Sequence, residues 1–191
     1  MMEGTISWQI EVLPWYALGL YWVVSALRVK RTRASEPITA RLYTIFLGAA
    51  AFALLFSNNL RFGRLGERFL VRDSWLEAAG LALTYAGAAL AIWARWSLGG
   101  NWSAEVSVKT DHQLIRSGPY AYVRHPIYAG LLLAVIGTAI VIGEWRGLLA
   151  ILIWTVGHAL KANREEAVMV ATFGEQYQRY RSETGFLLPR L

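Results

Sequence analysis

The chain has 191 residues, 55% of them hydrophobic, with nine Trp, no Cys and a net charge of +6. A soluble domain carries about a quarter charged residues, whereas here the fraction is 17% and the charges stand between apolar runs. The lack of Cys excludes disulfides, thiolate metal sites and cysteine nucleophiles, and basic residues flanking apolar runs fit anionic lipid headgroups, not nucleic acid.

Five segments have the character of membrane helices, for which about 20 apolar residues suffice. The first, Trp8 to Leu27, has neither a basic stretch before it nor a small-residue cleavage site after it. It therefore reads as a retained span, not a signal peptide. Leu42 to Leu60 and Ala78 to Ala94 contain no charged residue, and Trp75, Trp93 and Trp96 near the ends of the latter are typical interfacial anchors. Pro126 to Gly143 is a fourth uncharged run. Gly147 to Leu160 is a shorter fifth, joined to the fourth by Glu144-Trp145-Arg146 as a tight helical hairpin.

With the N-terminus outside, fourteen Lys and Arg residues collect on the inner side and five on the outer: Arg61, Arg64, Arg68, Arg72 and Arg146. The positive-inside rule then predicts N-out and C-in, with residues 97–125 and 161–191 in the cytoplasm. Ser97 to Arg124 is a polar loop, long enough to suggest function. From Asn163 to Arg181 the apolar residues Met169, Phe173, Tyr177 and Tyr180 recur at helical spacing. This predicts a C-terminal amphipathic helix, started by Asn163 with the Glu166 carboxylate returning to cap it. The expected fold is thus an all-α integral membrane protein with about five spans. Residues 1–96 form the N-terminal helices and residues 97–191 a second unit.

The richest stretch is Gly118-Pro-Tyr-Ala-Tyr-Val-Arg-His-Pro-Ile-Tyr-Ala-Gly130. Gly118-Pro119 marks a turn, and Pro126 suits the first turn of the fourth span, where its missing N–H costs nothing. Arg124 and His125 then stand just outside the helix start, where a guanidinium and the helix dipole together favour an anion. The plain alternative makes Arg124 a topological anchor and His125 a cap. Arg164-Glu165-Glu166 follows the fifth span, so a hairpin brings both stretches to one membrane boundary. A solvated charge run is the plain alternative there.

His112-Gln-Leu-Ile, Gly118-Pro-Tyr120 and Arg124-His-Pro-Ile-Tyr128-Ala-Gly130, followed by Glu165-Glu166, Phe173-Gly174-Glu175, Tyr177, Tyr180 and Pro189, stand here in one order. Over about residues 97–191 the chain resembles the isoprenylcysteine carboxyl methyltransferase family, to which phospholipid N-methyltransferases are related. The resemblance implies a methyltransferase that uses S-adenosylmethionine in an all-helical site without a Rossmann sheet. Gly99-Gly100 follows a helical run, not a strand, so it is no dinucleotide fingerprint.

By the resemblance, the cofactor is held by His112, Gln113, Leu114, Ile115, Gly118, Tyr120, His125, Pro126, Ile127, Tyr128 and Glu165. Where the family places an acceptor-binding Arg, this chain has Lys161, with Arg164 nearby, and Lys lacks the bidentate fork that holds a carboxylate. Arg124 is expected to orient a carboxylate acceptor, which is already ionised and needs no base. An amine acceptor must first lose a proton, and Glu166 is the expected base. The implied partners are a lipidic or prenylated acceptor and membrane lipids, with no nucleic acid and no metal. Amine methylation is the alternative chemistry, and a small transporter or structural membrane protein the alternative class. The uncharged second to fourth runs argue against a translocation path.

Overall fold

The computed structural model describes residues 8–27, 29, 32–103, 106–109 and 113–190. Among them the chain forms α1 (Trp8–Ala26), α2 (Ile38–Phe56), α3 (Ser74–Leu98), α4 (Pro126–Ile142), α5 (Trp145–Phe173) and α6 (Glu175–Glu183). Two of these helices, α2 and the one that runs on from Ser74 as far as Asn101, are long and apolar enough to cross a bilayer, while α4 is apolar but shorter.

One departure from an all-helical chain is a two-stranded antiparallel ladder, β1 (Thr32–Ser35) with β2 (Ser107–Lys109), in which Thr32 faces Lys109 and Ser35 faces Ser107. It joins the α1–α2 linker to the loop after α3. Both segments are extended, and their backbone groups satisfy one another. The Glu36 N–H donates to the Val106 carbonyl at 2.8 Å, continuing the pairing and fixing buried Val106 beside it.

The closest helix pair is α3 and α4. A Cβ on Gly87 would stand 2.4 Å from the Gly130 carbonyl, and one on Gly137 would stand 2.4 Å from the Gly80 carbonyl. Both pairs are seven residues apart on their helices, so they line one face, and only a missing side chain permits that approach. Between them Thr84 donates to the Gly80 carbonyl at 2.9 Å and Thr138 to the Ala134 carbonyl at 3.0 Å. The indole of Trp15 on α1 donates to Thr138 Oγ1 at 3.1 Å. On the other side of α4, the α2–α4–α5 core is built from Leu54, Leu55, Val135, Ala139 and Trp154.

At the C-terminal end of α4 several charges bind one another and the helix ends. Glu144 lies between Arg61, at 2.7 Å, and buried Arg146, at 2.6 Å. Arg146 Nη1 donates to the carbonyls of Leu54, Leu55 and Ser57, which end α2. Arg68 Nη1 donates to the Ile142 carbonyl at 2.6 Å. These cations satisfy the orphan carbonyls of two helix ends.

The C-terminal helix differs from the expectation. No separate helix starts at Asn163, because α5 runs unbroken through it to Phe173. Residues 159–169 are mostly strong helix formers, and the break comes at Gly174, with φ +53°. Asn163 therefore lies inside a helix and caps nothing. The amphipathic piece proper is the nine-residue α6, whose Tyr177 and Tyr180 are buried.

Candidate functional site

Pro126 opens α4 at its first turn, as its fixed φ and absent N–H dictate. His125 is the N-cap residue by backbone, yet its side chain makes no capping bond, so the plain reading of it as a cap fails. The C-terminal segment holds this turn in place. Gly185 N–H donates to the Tyr122 carbonyl at 3.1 Å, while Arg124 and His125 N–H donate to the carbonyls of Gly185 and Phe186. Tyr180 reaches across from α6 to donate to the Tyr120 carbonyl at 2.8 Å.

Helix α5 supplies the opposing charges. Arg124 Nε donates to Glu166 Oε1 at 2.6 Å, and its Nη1 donates to the carbonyls of Arg181 and Thr184. Arg181 approaches the second Glu166 oxygen at 3.2 Å. The His125 ring lies between the glutamates, 3.3 Å from Glu166 and 3.6 Å from Glu165. Tyr128 donates to Glu165 at 2.5 Å and stacks on His125 with ring centroids 5.6 Å apart.

The charges in this frame stabilise one another. Burial opposes protonation of His125, but hydrogen bonds with Glu165 and Glu166 outweigh it and raise its pKa above 6.5. Burial likewise opposes ionisation of Glu166, but hydrogen bonds with His125 and Arg124 hold it at about 2. Glu165 is also held below its usual range, burial being outweighed by His125 and Lys161.

Beside this frame opens a cavity of about 300 Å³, a size at the lower end for small-molecule sites. The residues picked from the sequence that line it are Gln113, Leu114, Ile115, Tyr120, Arg124, His125, Ile127, Tyr128, Lys161 and Glu165. His112 lies outside the described residues. Gly118, Pro126 and Glu166 do not line the cavity. Gly118 starts the turn before Tyr120, Pro126 starts α4, and Glu166 stands behind the wall, holding Arg124 and His125. Arg164 faces another way, 3.5 Å from Glu36 and donating to Thr44 on α2 at 2.8 Å.

The family described as phospholipid methyltransferase matches residues 75–176, more than half of the chain. The chain belongs to that family. Among similar proteins, the Protein-S-isoprenylcysteine O-methyltransferase of Schizosaccharomyces pombe is 35% identical over 81 residues, covering 41% of this chain and 34% of the relative. Its namesake in Rattus norvegicus is 34% identical over 124 residues, covering 63% of this chain and 43% of the relative. The chain thus spans less than half the length of these two relatives. The Uncharacterized protein YpbQ of Bacillus subtilis is 23% identical over 128 residues, covering 64% of this chain and 75% of the relative.

Several lining residues lay outside the sequence reading of the site. Trp22 comes from α1, Leu98 from the end of α3, Asn101, Trp102 and Ser103 from the segment that follows it, and His158 from the apolar part of α5. No motif marks them, because only helix packing brings them together. Helical phase was the one usable signal for His158, which stands seven residues before Glu165 and therefore on the same face of α5.

Proposed function

We propose that the chain is an integral membrane methyltransferase that moves a methyl group from S-adenosylmethionine to the carboxylate of a lipidic acceptor, such as a C-terminal isoprenylcysteine. The observation that carries this reading is the cavity itself. It combines a partly buried carboxylate, Glu165, with aromatic faces and two cationic residues, Arg124 and Lys161, beneath an apolar wall that includes Trp22, Leu131 and Met169. Membership in the family and the names of the relatives support it. The apolar runs of α1 to α4 and of residues 147–160 in α5 support five membrane-embedded segments, and the distribution of Lys and Arg supports an outside N-terminus with residues 97–125 and 161–191 toward the cytoplasm.

The residues fit the cofactor. S-adenosylmethionine, when bound, supplies a methyl group on a cationic sulfonium. Glu165 and the aromatic rings of Tyr120 and Tyr128 offer the negative charge and π faces that attract such a cation. The segment Gln113–Ile115 provides a polar and apolar edge for the rest of the molecule. Lys161, with Nζ 5.6 Å from the Tyr128 ring centroid, supplies positive charge toward an acceptor carboxylate. Arg124 contributes charge from the cavity rim. Its Nε and Nη1 already hold Glu166 and the C-terminal carbonyls, so it anchors the acceptor side more than it moves. The chain's main chemical task is alignment in a dry space, since a displacement of this kind needs no group to donate or remove a proton.

Titration of the purified protein in detergent with S-adenosylmethionine tests the first half of the reading. Both His125→Ala and Glu165→Ala are expected to weaken binding at least tenfold, about 1.4 kcal/mol, while the protein stays folded. Parental affinity in both variants would overturn the assignment of the cofactor to this cavity. Turnover of a farnesylated cysteine analogue with labelled donor tests the second half.

A further inference from the structure

His158 stands on the cavity wall, on α5, and neither the family motif nor the charged frame uses it. Its ring is held on two sides. It stacks on Trp154 with centroids 4.0 Å apart and a 20° tilt, and meets Tyr128 edge-on at 5.2 Å. Nδ1 lies 3.0 Å from the Trp154 carbonyl. A carbonyl can only accept, so Nδ1 carries the hydrogen and, in the neutral ring, Nε2 carries the lone pair. Among the described residues Nε2 has no hydrogen-bond partner. The cavity therefore contains a neutral base with its tautomer fixed by the helix.

The two carboxylates nearby are poorer candidates for that task. Glu166 is spent on Arg124, Arg181 and His125 and does not line the cavity. Glu165 accepts the Tyr128 hydroxyl and faces His125. The sequence gives an amine acceptor's proton to Glu166, and the geometry moves that role eight residues, just over two turns, back along α5.

We propose that His158 is the catalytic base through which this cavity methylates a lipid amine. This rests on the methyltransferase reading above and extends it to an acceptor that arrives protonated. The ammonium head group gives one proton to His158 Nε2, which becomes imidazolium. The freed nitrogen lone pair forms the new N–C bond to the donor methyl as the S–C bond breaks, its pair going to sulfur. The product leaves as a methylated ammonium, and His158 returns its proton to water. The charged groups facing the ring are Lys161 and Glu165 on its own helix, with Tyr128 on α4 the titratable neighbour.

The test uses the full-length protein in detergent with labelled S-adenosylmethionine and two separate acceptors, dioleoylphosphatidylethanolamine and an S-farnesylated cysteine. The parent is expected to methylate the amine, with a rate that falls on the acid side as the imidazole is protonated. His158→Asn retains an N–H toward the Trp154 carbonyl but has no basic nitrogen. It should lower amine turnover on the order of a hundred- to ten-thousandfold and move the acid limb up toward the pKa of the amine itself, and added imidazole should restore part of the rate. His158→Gln serves if the Asn variant does not fold. Parental amine turnover with an unchanged pH profile in a folded variant overturns the proposal. So does a parent that methylates only the farnesylated acid, although the methyltransferase reading then stands. A parent inactive on both acceptors, and without donor binding, sinks that reading as well.

Discussion

At the scale of single residues, the site is a short relay of opposite charges whose members hold one another. Arg124 is the hinge of this relay, since one guanidinium ties α5 through Glu166 and the C-terminal segment through two carbonyls. Lysine keeps the charge but cannot bond in two directions from a rigid plane. Arg124→Lys is therefore expected to lower turnover at saturating donor by ten- to a thousandfold, roughly 1.4 to 4 kcal/mol in the barrier. An anchor whose only role is topological would show parental turnover instead. The pH dependence follows from the same contacts. Folding raises His125 above 6.5, so its contribution is complete below that value and is lost as pH rises through the raised one. Folding lowers Glu166 from 4.5 to about 2, so its contribution is complete above 4.5 and is lost as pH falls through about 2. The stability gap between the parent and His125→Asn, read by thermal melts in detergent, should be widest between about pH 4.5 and 6.5 and shrink in base. A gap constant from pH 5 to 9 would rule out a charged His125.

At the scale of elements, the contact between α3 and α4 decides where the cavity sits. Gly87 against Gly130 and Gly80 against Gly137 let two apolar helices touch backbone to backbone. That sets the level at which Pro126 starts α4 and therefore the height of His125. Overpacking a tight core costs about 1–3 kcal/mol, and here the obstacle is backbone that cannot move aside. Gly87→Leu is expected to cost at least the upper end of that range and to abolish a monodisperse folded species in detergent. Gly19→Leu is the control, because a Cβ there meets nothing within 4 Å. Equal melting temperatures for the two variants would remove the glycine contact from the account. Elements also explain what the sequence pattern misjudged. Charges and aromatics at helical spacing from Asn163 onward were legible as helix, but spacing alone carried no sign that this helix continues the preceding apolar one. The start was misplaced because a good helix former followed another, and only Gly174 interrupts them.

At the scale of the whole molecule, large exposed apolar side chains cover α1 and α2, among them Leu20, Val23, Leu42 and Phe46. In water such a surface is a liability, whereas in a bilayer it faces lipid. The proposed orientation puts the loop carrying β2 in the cytoplasm. A Ser107→Cys variant is the only thiol in its chain, so an impermeant maleimide should label it from the cytoplasmic side alone. Labelling only from outside would invert the topology. Of the five arginines that the charge count assigns to the outer side, three have contacts that account for them. Arg61 and Arg146 clasp Glu144, and Arg68 caps α4.

The sequence by itself determined the apolar segments, the start of α4 at Pro126 and the place of Arg124 and His125 just before it. These are local properties, set by side-chain chemistry and by the constraints of proline and helical period. It also pointed to Glu165, because an adjacent pair of carboxylates beyond an apolar run stands out in the chain. Only the tertiary structure decided which carboxylate faces the cavity and which holds the frame, since neighbours on a helix point about 100° apart and the packing partner selects between them. It turned Arg164 toward Glu36 and Thr44, and brought Trp22, Trp102 and His158 to a site formed by helices distant in sequence. Those placements depend on helix rotation and depth, which are fixed by contacts between segments and written in no single stretch of residues.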